Sequence, residues 1–260
     1  MGLEYTFAGF VVGFIIGFTG VGGGSLMTPI LVLVFRIPPA IAVGTDLLYA
    51  ALTKGSGVFV HHRIGSVDWT VVRLLSLGSI PASLCTVLVL DWLRRRGVNY
   101  DGVMTTTLSV ALILTSLVII FKERLVILSR REELEFLREI HRRFQKPMTV
   151  VCGLMIGVLV TLSSVGAGAI GGAILFLLYP RMPVLRIVGT DLAHAVPLTA
   201  IAGLGHLHLG TVDFLLLGSL LLGSLPGIWL GSHAGVRLPE KVVRPVLALM
   251  LMGIGVRFAF

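Results

Sequence analysis

The stretch GFTGVGGGSLMTP, Gly17–Pro29, holds five glycines in its first eight positions. It lies within a 31-residue run, Tyr5–Phe35, that carries no charge. Glycine in a helix interior costs about 1 kcal/mol relative to alanine. Concentrating it in the most apolar part of the chain predicts a deliberate break between two helical pieces, with bare backbone at the break.

The surrounding composition says what medium that break sits in. The 260 residues are 55% hydrophobic and 13% charged, against about 25% charged in soluble domains. Charge-free apolar runs recur at 5–35, 74–90, 102–121, 148–180, 192–212 and 214–236. About 20 apolar residues span a bilayer as helix, so the chain reads as a polytopic helical protein of a prokaryotic inner or plasma membrane. The net charge of +8 then belongs to loops, where basic residues set topology and meet anionic lipid, and is no nucleic-acid footprint. The N-terminus has no basic n-region and no small-residue cleavage site, so no signal peptide is expected. Cys85 and Cys152 lack CxxC spacing and read as packing residues.

The chain repeats itself. VGTDL at 43–47 returns at 188–192, GSVDW at 65–69 is answered by GTVDF at 210–214, and LGSIP at 77–81 by LGSLP at 222–226, all at an offset of 145 residues. His61 and His206 keep the same offset, and Val21-Gly22-Gly23-Gly24 pairs with Val165-Gly166-Ala167-Gly168 at 144. This divides the chain into a first transmembrane repeat, 1–121, a charged linker helix, 122–146, and a second repeat, 147–260.

Charge counting orients the repeats. If 5–35 and 148–180 each cross once, the halves run parallel, and nine basic residues fall on each side of the membrane. If each segment folds back as a hairpin, the linker side collects fourteen and the opposite side, Arg36 with Arg94–Arg96, collects four. The positive-inside rule selects the second arrangement and makes the linker cytoplasmic. The expected fold is therefore all-α, with two inverted-topology repeats containing broken, re-entrant, glycine-rich helical hairpins.

Backbone exposed at such a break must face protein or a watery cavity, and a half-helix N-terminus there favours anions. Ser25 can cap the first half-helix. The candidate substrate-binding residues are Gly20, Gly22, Gly23, Gly24 and Ser25 in the first loop, and Ser163, Ser164, Gly166, Ala167 and Gly168 in the second. Close helix packing is the other use of such glycines. Thr45 and Thr190 of the VGTD copies can reach a loop or the ligand. Asp46 falls about 12 Å along a helix that begins near Pro38 and Pro39; it and Asp191 can couple protons or support the site. Lys54 can counter an anion or snorkel to the nearby loop. His194 can meet Asp191 on one helix face, as a relay or as a packed histidine. His61, His62, His206 and His208 sit at span ends and read as interfacial, with no metal site expected. Asp68 and Asp213 read as helix caps, and Pro81 and Pro226 as kinks.

GFTGVGGGSLMTPIL followed by AVGTDLLYAALTKGSGVFVHHRIGSVDW resembles the sulfite exporter TauE/SafE family, a group of permeases also named for toluene sulfonate uptake. The second VGTD and GTVDF carry the resemblance into the other half. It implies transport of a small sulfur oxyanion or organosulfonate, often export of sulfite, with the glycine loops and nearby hydroxyls lining the path. Two features depart from it: Ala167 stands where the first copy has Gly23, and the charged linker. No Walker motif is present, so the expected transport is secondary and needs no cofactor. Partners are the anion, membrane lipid and a second copy of the chain. The rival readings are a proton-coupled carrier of a divalent cation held by Asp46 and Asp191, and an intramembrane hydrolase using Ser25 or Ser164 with His194. No G-x-S-x-G elbow supports the latter.

Overall fold

The computed structural model describes residues 2–19, 26–130, 135–234 and 240–259. Among them the secondary structure is helical: α1 (Leu3–Thr19), α2 (Met27–Leu33), α3 (Pro39–Arg63), α4 (Trp69–Arg95), α5 (Asp101–Arg130), α6 (Glu135–Ser163), α7 (Ala169–Leu178), α8 (Val184–His208), α9 (Phe214–Ala234) and α10 (Glu240–Ala259). Among the described residues, five helical stretches are long and apolar enough to cross a membrane: Trp69–Arg95, Asp101–Phe121, Phe144–Ser163, Val184–His208 and Phe214–Gly231. Shorter apolar helices cover Leu3–Ile16, Ala169–Leu178 and Ala248–Ala259. This is a multi-pass helical membrane protein. Charged segment 122–146 holds the end of α5 and the start of α6, and 131–134 lie outside the described residues.

Local chemistry marks the helix boundaries. Asp68 caps α4 by accepting from the amides of Thr70 and Val71, and Asp213 accepts from those of Leu215 and Leu216 at the start of α9. Gly65 and Gly210, at matching positions before the two caps, take φ of 67° and 71°. A left-handed corner of this kind favours glycine.

Packing crosses between the halves. α1 lies along α9: Gly9 faces the backbone of Leu220, Gly13 that of Ser224, and Gly223 and Gly227 face Thr6 and Phe10. Both numberings rise together, so the pair is parallel. α6 lies along α4 in the same way, with Gly153 against Leu75 and Gly157 against Ser79. Helices without a water-driven attraction associate through such close backbone approach.

Each central helix packs on its own repeat counterpart, in the opposite sense. Gly44 of α3 meets His206 of α8, and Gly57 meets Leu192. α5 and α10 are likewise antiparallel: Ser109 Oγ donates to the Gly255 carbonyl and Ser116 Oγ to that of Ala248, both at 2.7 Å. Val43, Leu47, Ala195, Leu198 and Ala202 pack with Ile156 and Val160 in a buried cluster between α3, α8 and α6.

Both glycine-broken segments return to the end where they began. Tyr5, near the start of α1, packs its ring 5.0 Å from that of Phe35, just past α2. Thr149, early in the apolar part of α6, hydrogen-bonds the Tyr179 hydroxyl just past α7 at 2.8 Å, and Gln145 donates to the Leu178 carbonyl.

Candidate functional site

The second break is built by local bonding. Ser163 Oγ donates back to the Leu159 carbonyl at 2.6 Å and accepts from the Val165 amide at 3.2 Å. The helical ladder of α6 stops there. Ser164 takes φ of 58°, and Gly166 and Gly168 follow at 114° and 145°. Gly168 opens α7, whose first-turn amides, like those of any helix start, have no intrahelical acceptor.

Polar side chains from several helices converge on this break. Ser164 is buried beside the Asp46 carboxylate of α3. Lys54, two turns further along α3, is also buried, and its Nζ donates to the Ala167 carbonyl at 2.8 Å. Lys54 therefore does not snorkel. Its chain turns inward because the broken loop offers a carbonyl in the protein interior, a partner lipid cannot provide. Asp191 of α8 borders α7, its carboxylate filling the space where Gly171 has no side chain. Lys54, when protonated, acts electrostatically on both Asp46 and Asp191.

Several acceptors in this cluster stand open. Asp46 Oδ2 accepts from Thr28 Oγ1 of α2 at 2.5 Å, but Asp46 Oδ1, Asp191 Oδ1, Ser164 Oγ and the Tyr49 hydroxyl are buried without a hydrogen-bond partner. His194 bonds Ser79 of α4 through Nε2 at 2.8 Å, while its Nδ1 is unpartnered. Its repeat counterpart, Tyr49, sits beside Ser224, the counterpart of Ser79. Thr28, Ser79, Ser224 and Tyr49 join the cluster in addition to the residues expected from the sequence. Ser79 and Ser224 carried a signal in the duplicated LGSxP.

The threonines of VGTD bond across to the opposite repeat. Thr45 Oγ1 accepts from the Asp213 amide at 3.1 Å, and Thr190 Oγ1 from the Asp68 amide at 2.9 Å. Each thus ties its helix to the capped corner of the opposite repeat. Gly44 and Gly189 press on those same corners, against Thr211 and Ser66. At one corner, Arg186 adds an ion pair to Asp68 at 3.1 Å.

His206 is fully buried, not interfacial. Its ring bonds Thr211 and the Thr161 carbonyl, at 2.9 and 3.0 Å. Val165, whose amide would follow Thr161 in a helix, bonds Ser163 instead, so the histidine fills the place left by the break. The candidates Gly20, Gly22, Gly23, Gly24 and Ser25 lie outside the described residues. α2 begins beyond them, at Met27 with Leu26 as cap residue. Among the described residues no three His, Cys, Asp or Glu side chains gather as a metal site.

A model of the sulfite exporter TauE/SafE family matches residues 5–258. The chain belongs to the TauE/SafE family. A Bacillus subtilis relative named probable membrane transporter protein YjnA is 32% identical over 257 residues, covering 99% of both chains. A second from the same organism, probable membrane transporter protein YdhB, is 26% identical over 92% of this chain and 93% of its own. An archaeal relative, probable membrane transporter protein MJ0441 of Methanocaldococcus jannaschii, is 25% identical over 95% of this chain and 89% of its own. No solved structure is significantly similar. This TauE/SafE protein is a membrane transporter, and the buried polar cluster between its two halves is the candidate site.

Proposed function

We propose that this transporter carries a small sulfur-containing anion, sulfite or an organosulfonate, outward across the cell membrane by alternating access. The observation that carries the reading is Lys54, a lysine buried in the protein interior with its Nζ on a loop that also presents Ser164 and the N-terminus of α7. Such a grouping suits a negative solute. The glycines of the first loop, Gly20 and Gly22–Gly24 with Ser25, are assigned the matching role from the other half.

The repeats are read as inverted, with re-entrant hairpins. The antiparallel registers of α3 with α8 and α5 with α10 support this, since counterpart helices run the same way in parallel repeats. The return of each broken segment to its own starting end supports it too. The resulting charge count, fourteen basic residues beside the linker against four opposite, favours a cytoplasmic linker. Broken helices meeting between inverted halves are a recurring transporter design.

The test is flux from proteoliposomes loaded in turn with sulfite, thiosulfate, an organosulfonate, sulfate and chloride. Sulfite or a sulfonate should leave fastest, and Gly23→Val and Gly166→Val should each slow it sharply. Flux of divalent cations with none of any sulfur anion would overturn the reading.

A further inference from the structure

Asp46, Lys54 and Asp191 form a series along the axis of α3. Asp46 lies about 10 Å from the Pro39 end of α3, and Lys54 about 12 Å beyond it. Gly57 meets Leu192, which sets Asp191 past Lys54 toward the other end of the bundle. The second break follows the same line: Ser164 lies beside Asp46, Ala167 bonds Lys54, and Gly171 adjoins Asp191. Among the described residues Lys54 is hydrogen-bonded to the Ala167 carbonyl and forms no ion pair with either carboxylate, and each carboxylate keeps a buried oxygen with no partner.

Resting on the anion reading above, we propose that Lys54 is the single counter-charge shared by these two carboxylates, and that the arrangement obliges each monovalent anion to travel with one proton. A charge left uncompensated in a membrane interior is costly. With no substrate, two carboxylates and one ammonium balance when one proton is bound. With a monoanion bound, balance requires a second proton, so that both carboxyls are neutral and the ammonium faces the anion. Loading one anion therefore loads one proton, and release returns both. The other titratable groups facing the series are Tyr49, beside Asp46, and His194, which feels the Lys54 charge. The described polar side chains of α2, α4 and α9 at the cluster are hydroxyls: Thr28, Ser79 and Ser224.

Movement of a monovalent organosulfonate and of protons is measured together in vesicles containing a trapped pH dye. The wild type should move one proton per monovalent anion. Lys54→Met should lose flux, while Lys54→Arg keeps flux and coupling. Asp46→Asn with Asp191→Asn in the Lys54→Arg background leaves a fixed positive charge, and the anion should then cross without a proton. Wild-type flux in Lys54→Met, or one proton per anion in the triple variant, overturns the proposal. A substrate-free measurement separates this from failure of the anion reading. In detergent, Lys54→Met should lower Tm, increasingly toward alkaline pH, and Asp191→Asn in that background should restore it. Strictly additive effects overturn the shared counter-charge whether or not sulfite is carried.

Discussion

Ser164 holds a left-handed backbone that costs a side-chain-bearing residue about 1 kcal/mol, and its buried hydroxyl has no partner. Packing alone would favour glycine there. Ser164→Gly should leave Tm unchanged or raised yet slow transport, and Ser164→Ala should slow transport to a similar degree. Full flux in both variants would remove the hydroxyl from the site. Thr45→Val and Thr190→Val should each lower stability by about 1 kcal/mol through a lost hydrogen bond, read as Tm, because each leaves an opposing amide without its acceptor. Asp46 and Asp191 stood out in the sequence as ionisable groups inside duplicated apolar segments. The inward course of Lys54 did not. Its repeat counterpart is Thr199, and only the folded loop brings a carbonyl within its reach. His206 was similarly hidden, because the carbonyl it meets is freed by a break 45 residues away in sequence.

At the scale of the helix, the glycines divide into those that break and those that join. Gly44 and Gly189 leave no room for a methyl group against the opposite corner's backbone. Gly44→Ala or Gly189→Ala should cost about 1–3 kcal/mol, seen as a lower Tm. Gly157→Leu should part α6 from α4 and turn a single size-exclusion peak into aggregate. The duplication of the motifs could be read from spacing alone. The exchange of partners could not: α1 and α4 carry no mark naming α9 and α6, since a small-residue face fits many others. It follows that 1–121 expressed alone should not form a stable product, while co-expression of the two repeats as separate chains should yield a complex that co-purifies. Isolation of a monodisperse first repeat would contradict the exchanged packing.

Across the whole molecule, the charge balance at the centre fixes how the cell's gradients act. An anion that travels with one proton feels the pH difference but, if monovalent, not the membrane voltage. Net outward flow then runs down the summed gradients of anion and proton. It should slow when the outside is made acidic and be indifferent to a valinomycin-set potential. Voltage-driven flux of a monovalent anion would contradict this balance.

The exchanged helices also bear on synthesis. α1 leaves the ribosome roughly 195 residues ahead of α9, an interval of about 10–40 s at ordinary translation rates. Through that wait its glycine-lined groove lies open in lipid, so insertase or chaperone shelter should matter more for this nascent chain than for bundles whose neighbours are consecutive.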